Sequence, residues 1–154
     1  MPGAVTRILV TGASGFVGGR VVQRARERGD IATHGVGRRV LAESAYTSHD
    51  LSQPLLRLSD ASFRPDVVIH AAARATPWGR DEDYHRDNVQ ATERVLDYCH
   101  AHGQPRLIYV SSSSVFYREG PQLGITEATP IGPDFVNRYA ATKAAGEVLV
   151  RQYT

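Results

Sequence analysis

The chain has 154 residues, 42% hydrophobic and 22% charged, the profile of one globular domain long enough to bury a core. Its formal net charge of +2 is too small to signal a nucleic-acid or membrane partner. The lone cysteine, Cys99, excludes an internal disulfide framework and fits a reducing cytoplasm, and no run approaches the roughly 18 apolar residues of a membrane span. The first apolar run enters a glycine turn rather than a cleavage site, so a cytoplasmic protein acting on a small molecule is expected.

Short apolar runs alternate with longer helical stretches, the pattern of βαβ units and a parallel sheet. Val5–Val10 is a β-branched first strand ending in Thr11-Gly12. The spacing of Phe16, Val17, Val21, Val22 and Ala25 predicts a helix over 16–28, with Gly29 as its stop. Ile31–Val36 is the second strand, and Ala45–His49 a short third one that the alternation requires. A short helix interrupted by Pro54 is expected within 51–63, followed by a fourth strand over Asp66–His70. The longest helix spans 81–101, with Val89, Thr92, Val95, Leu96 and Cys99 inward. Leu107–Val110 is a fifth strand running into four serines. Glycines and prolines make 116–136 a loop, and a final helix occupies 137–152. Together they predict an α/β, Rossmann-like, doubly wound parallel sheet of order 3-2-1-4-5. Ligands on such sheets sit at the carboxyl ends of the strands, where the four chemically suggestive segments fall: 12–18, 37–39, 71–73 and 111–114.

Gly12, Gly15 and Gly18 stand between a strand and a helix. Missing side chains there let the backbone turn sharply and approach a diphosphate, whose charge suits helix N–H groups and the positive end of the helix dipole. Tyr139 and Lys143, four apart, share one face of the final helix. A phenol is a poor proton carrier at neutral pH, but a neighbouring ammonium and a place in the first helical turn both favour phenolate.

Thr11-Gly12-Ala13-Ser14-Gly15-Phe16-Val17-Gly18 resembles the opening of the extended short-chain dehydrogenase/reductases, also called the NAD-dependent epimerase/dehydratase family. The similarity continues through Pro65–Ala73, Asn88-Val89 with Thr92, Tyr109–Ser112 and Tyr139–Lys143, nearly the whole chain in the family's order. The stretch 71–79, with Trp78 at a possible substrate mouth, also resembles the 3β-hydroxysteroid-dehydrogenase-like branch, whose substrates are apolar.

The resemblance implies a nicotinamide dinucleotide bound by Gly12, Gly15, Phe16, Val17, Gly18, Ser111, Tyr139 and Lys143. It also implies adenine contacts at Asp50 and Leu51, passage of the cofactor along Ala71, Ala72 and Ala73, and Asn88 bracing the strand ends. Tight helix–sheet packing also explains the alanines, and a helix-surface role also suits the asparagine. The second strand's end normally faces the adenosine ribose, where a carboxylate selects NAD and arginine accommodates the 2′-phosphate of NADP. Arg38 and Arg39 stand there with no acid before Glu43, which favours NADP over NAD.

Counting back from Val115 as in the family pattern selects Ser112 as the hydroxyl that holds the substrate oxygen, with Ser113 the alternative. Ser112, Tyr139 and Lys143 form the implied catalytic set. Related dehydratases carry Asp and Glu where this chain has Ser113 and Ser114, which disfavours water elimination. His100 and His102 point apart on a helix and read as a solvated helix end rather than a metal site, and His70 reads as a packed structural residue. The expected reaction is hydride transfer at a hydroxyl/carbonyl carbon. The alternatives are an epimerase using the same chemistry and a non-catalytic dinucleotide sensor or inactive fragment. Family members run on past the Tyr–Lys helix into a substrate region, so a truncated Rossmann domain with an open sheet edge and weak turnover is expected here. The alanine-rich Tyr139–Leu149 segment suits a homodimer face or internal packing equally.

Overall fold

The computed structural model describes residues 4–153 apart from 56, 57, 59 and 77. β1 (Thr6–Thr11), β2 (Ile31–Gly37), β3 (Tyr46–Ser48), β4 (Val67–His70) and β5 (Arg106–Tyr109) form one parallel sheet in the order β3-β2-β1-β4-β5. The expected topology is therefore observed. The register brings Thr11 opposite both Val36 and His70, and His70 opposite Tyr109. The glycine turn, Arg38, Ala71 and the serine run consequently leave the sheet along one edge.

α1 (Phe16–Arg26) follows β1; α2 (Asp81–Tyr84), a π-helical turn (His85–Gln90) and α3 (Ala91–Ala101) link β4 to β5; α4 (Arg138–Arg151) follows the loop after β5. The core lies between the sheet and α3: Leu9, Val36 and Val68 are fully buried against Leu51, Leu55, Val95 and Cys99. Each such side chain contributes about 1.5–3 kcal/mol relative to exposure. The five inward positions expected of the long helix, Val89, Thr92, Val95, Leu96 and Cys99, are all buried.

Four expectations change. The helix over 16–28 stops at Arg26 with Glu27 as its C-cap, before Gly29, because the chain turns toward β2 there. No helix forms among the described residues of 51–63; the Asp50 carboxylate accepts the Ser52 N–H at 2.9 Å, closing a turn, and Pro54 follows without an N–H to extend one. Residues 56, 57 and 59 of that stretch lie outside the described set. The helix over 81–101 is interrupted by π winding, which places three consecutive residues, Asp87, Asn88 and Val89, in the interior. An α-helix of 3.6 residues per turn would rotate one of the three outward. Finally, Asn137 is not the first helical residue but the cap of α4, its Oδ1 accepting the Ala140 N–H at 2.8 Å.

Only β4 pairs with β5 within the described sheet, so the other edge of β5 is open. The face of the sheet beside it is also thinly covered: Val67 and Ile69 are half-buried and Ile108 is 44% exposed.

Candidate active site

The turn after β1 is fixed by backbone bonds, with Ala13 N–H donating to Val36 O at 3.1 Å and Gly15 N–H to Gly12 O at 2.8 Å. Gly12 takes φ +68°, and a Cβ there would sit 2.8 Å from Ala72 N. A Cβ on Gly18 would overlap the carbonyl of Gly12, so α1 closes onto the turn only without one. No side chain caps α1 and its first turn holds no acid, leaving its N–H groups for an anion.

The turn opens into a cavity of about 290 Å³. Around it the structure gathers Gly12, Gly15, Arg38, Asp50, Leu51 and Ala71–Ala73, four segments the sequence singled out separately. Phe16 and Val17 do not join them through their side chains. Phe16 is 87% exposed, and both line a separate apolar groove beside α1 with Val21 and Ile31. Gly18 is buried behind the turn.

Sequence reasoning missed four residues of this cavity: His49 and Ser52 beside Asp50, and Asp87 and Ala91, which project from the π turn and the start of α3. For Asp87 the signal was an acid beside the expected bracing asparagine. Asp50 is held below the usual carboxylate range by the Ser52 N–H, with Arg38 and Arg86 adding to the effect.

A second cluster lies on the β5 side. Tyr139 is half-buried in the first turn of α4, and Lys143, one turn on, is 2% exposed. The Lys143 ammonium lies 3.9 Å from the centre of the Tyr109 ring, and no carboxylate among the described residues comes within ion-pair distance of it. Burial pushes its pKa down to about 8, with Glu147 opposing the shift. Burial also pushes the Tyr109 phenol up to about 12, so it stays neutral as a cation–π surface.

Glu147 accepts the Ser111 hydroxyl at 2.5 Å and pairs with Arg151 at 2.9 Å. Ser111 is therefore tied to α4. Ser112 caps a 3-10 turn over Ser113–Phe116, its Oγ accepting the Ser114 N–H at 3.2 Å and lying 2.9 Å from Ser114 Oγ. Ser113 faces outward, its Oγ 3.1 Å from the Tyr117 hydroxyl.

Asn88 is buried rather than on a helix surface. Its Oδ1 accepts the Arg74 N–H at 2.6 Å, and its Nδ2 donates to Arg74 O at 3.2 Å and Thr142 Oγ1 at 2.9 Å. It thus joins the loop after β4 to the helix of Tyr139. A second line of bonds runs beneath. Thr92 Oγ1 spends its proton on Asn88 O at 2.6 Å, so His70 Nε2 donates to Thr92 at 3.0 Å and His70 Nδ1 accepts from Thr11 at 2.7 Å. Thr11 Oγ1 accepts the Ala72 N–H at 3.3 Å. His70 is 1% exposed and its pKa falls to about 3, through burial and then Lys143. It is a neutral structural strut between the two clusters. His102 stacks on Tyr98 and accepts no role in either cluster.

These residues fit a dinucleotide. A side-chain-free turn with uncapped helix N–H groups suits a diphosphate, and a buried ammonium with three donors and no anionic partner among the described residues suits ribose hydroxyls.

Comparison with known proteins agrees. The model of the NAD dependent epimerase/dehydratase family matches residues 8–154. The 2-alkyl-3-oxoalkanoate reductase of Stenotrophomonas maltophilia is 36% identical over 92% of this chain and 44% of its own length. The UDP-glucose 4-epimerase of Mycolicibacterium smegmatis is 31% identical over 96% of this chain and 51% of its own. A 3beta-hydroxysteroid-dehydrogenase/decarboxylase from Arabidopsis thaliana is 39% identical over a shorter stretch, 55% of this chain and 20% of its own. Among solved structures, a short-chain dehydrogenase/reductase superfamily protein from Agrobacterium tumefaciens with bound NAD superposes with a TM-score of 0.80 at 31% identity, over 94% of this chain and 44% of that one. The chain spans about half the length, or less, of the curated relatives it matches. It belongs to the NAD dependent epimerase/dehydratase family, the extended short-chain dehydrogenase/reductases that its motifs resemble.

Proposed function

We propose that this chain is the dinucleotide-binding and catalytic-helix portion of an NAD(P)-dependent ketone reductase or alcohol dehydrogenase. The observation that carries the reading is Lys143, an ammonium buried to 2% exposure one turn after Tyr139, on the same sheet edge as the glycine cradle. Burying an ammonium costs several kcal/mol, a cost that folding alone does not repay. A chemical role explains it.

When bound, the nicotinamide supplies or takes a hydride at the substrate carbon. Tyr139 gives or takes the proton at the substrate oxygen, so one hydride and one proton move for each carbonyl reduced. Lys143 holds the ribose hydroxyls with its three N–H donors. Ser112 directs its hydroxyl proton to the substrate oxygen while its lone pair caps the serine turn. Arg39, just after β2 and with no acid in the stretch before Glu43, supports NADP over NAD, with Arg38 beside it at the cavity. Ser113 and Ser114 lack the acidity that water elimination demands.

The reductase and steroid-dehydrogenase relatives, with Trp78 exposed in the loop after β4, support an apolar ketone as substrate. The epimerase relative supports a second reading, sugar-nucleotide epimerisation with the same tyrosine and lysine. A sensor needs neither Tyr139 nor Lys143. Substrate selection is assigned to polypeptide beyond this domain, because the relatives run to about twice its length, and a cytosolic location suits buried, reduced Cys99.

Calorimetry with NADP(H) and NAD(H) tests the binding reading; no heat with either sinks it. Supplying a 2-alkyl-3-oxoalkanoate with NADPH then separates the chemistries. Net loss of NADPH supports reduction, whereas isomerised UDP-glucose with no net cofactor change supports epimerisation.

A further inference from the structure

The two arginines at the end of β2 diverge. Arg39 Nη1 reaches back to the carbonyl of Ser14 in the glycine turn, at 3.2 Å. Arg38 instead crosses the mouth of the cavity to the opposite wall, where its Nη1 lies 3.3 Å from Asp87 Oδ2. Asp87 is a carboxylate whose side chain is 5% exposed, and its two oxygens are shared among three guanidiniums. Oδ2 also takes Arg74 Nε at 3.0 Å, and Oδ1 takes Arg86 Nε at 2.9 Å. The other carboxylate of the cavity, Asp50, is turned to the Ser52 N–H. Among the described residues, Asp87 is therefore the carboxylate ion-paired to Arg38, while Asp50 acts on it through its field alone.

The π turn makes this arrangement possible. It lets Asn88 face α4 while its neighbour Asp87 faces the cavity, two inward positions in a row.

Resting on the dinucleotide reading above, we propose that Asp87 is a positioning residue for cofactor choice. It holds Arg38 across the adenosine side of the cavity as a wall and keeps it from a 2′-phosphate, leaving that phosphate to Arg39. The ion pair occupies a donor of Arg38 that would otherwise reach a phosphate. The protein consequently discriminates between NADP and NAD less sharply than a free arginine pair would.

The test is calorimetry of NADP and NAD on the purified protein and on Asp87→Asn, Arg38→Gln and the double variant. Asp87→Asn is expected to raise the NADP-to-NAD affinity ratio by about fivefold or more, the scale of one charge-assisted contact. Arg38→Gln alone is expected to change the ratio by less than about twofold, because that guanidinium is already engaged, and to erase the gain when combined with Asp87→Asn. A residue that merely stabilised the fold would lower the melting temperature and weaken both cofactors equally. An unchanged ratio in Asp87→Asn, or a gain that survives in the double variant, overturns the proposal. Arg38 is exposed, so Arg38→Gln decides even if Asp87→Asn does not fold: a large loss of NADP preference from that single change also overturns it. Failure of the unaltered protein to bind either cofactor instead overturns the dinucleotide reading and this inference with it.

Discussion

The two ends of the site use charge in opposite ways. On the β2 side, Arg38 and Arg39 are exposed and the cavity between them is open to water, so their charges are screened and adjustable. On the β5 side a single ammonium, Lys143, is sealed against an aromatic ring, where its charge is strong and expensive. Recognition of a large polar ligand tolerates the first arrangement. Proton transfer at one atom needs the second, because a desolvated charge acts on its neighbour without solvent damping it. The Thr11–His70–Thr92 line and Asn88 hold the two ends in register.

The contrast is broken most completely by Tyr139→Phe. In a full-length form of the protein it is expected to lower turnover by about a thousandfold or more while dinucleotide affinity stays within about twofold; retained turnover would remove Tyr139 from the chemistry. Gly12→Val attacks the other end. Its Cβ meets Ala72 N at positive φ, so dinucleotide affinity should fall by about a hundredfold and the melting temperature with it. Unchanged affinity in calorimetry would show that the turn is not the cradle.

Lys143→Met sharpens the comparison because function and stability should separate. The folded pKa of about 8 lies below the unfolded value of 10.5, so the unfolded chain binds more protons between those values. The charged lysine therefore costs stability at neutral pH, and the cost is relieved as pH rises from about 8 to 10.5. The methionine variant should be more stable at pH 7 by roughly 1–3 kcal/mol in urea unfolding, lack that alkaline rise, and be inactive. A destabilised variant would mean that the ammonium is well satisfied in the fold. Arg39→Gln gives the smallest effect: about a tenfold loss of NADP affinity with NAD nearly untouched. Equal losses of both would locate the 2′-phosphate elsewhere.

Much of this was legible in the sequence. The alternation of strands and helices and the strand order needed only local hydrophobic pattern and the right-handed connection rule. The glycine turn, the arginine pair and the Tyr139–Lys143 spacing were visible for the same reason: each is contained within a few neighbouring residues, and local backbone geometry fixes where they point. Asn137 stood at the start of the final helix by pattern, though its capping role depends on a contact with Ala140.

What the sequence left undecided depends on residues far apart in the chain. Asn88 read equally well as a surface residue until Thr142 and Arg74 closed around it. Phe16 and Val17 sat inside the motif, yet helix rotation turned their side chains away from the cavity. Asp87 carried no signal beyond its place next to Asn88, because the π turn that points it inward packs against α4 and its charge matters only where Arg38, Arg74 and Arg86 converge. Sequence determined which groups are present and on which element. Only tertiary structure decided which of them are dry and which charges meet, since burial and Coulomb energy depend on distance in space and not along the chain.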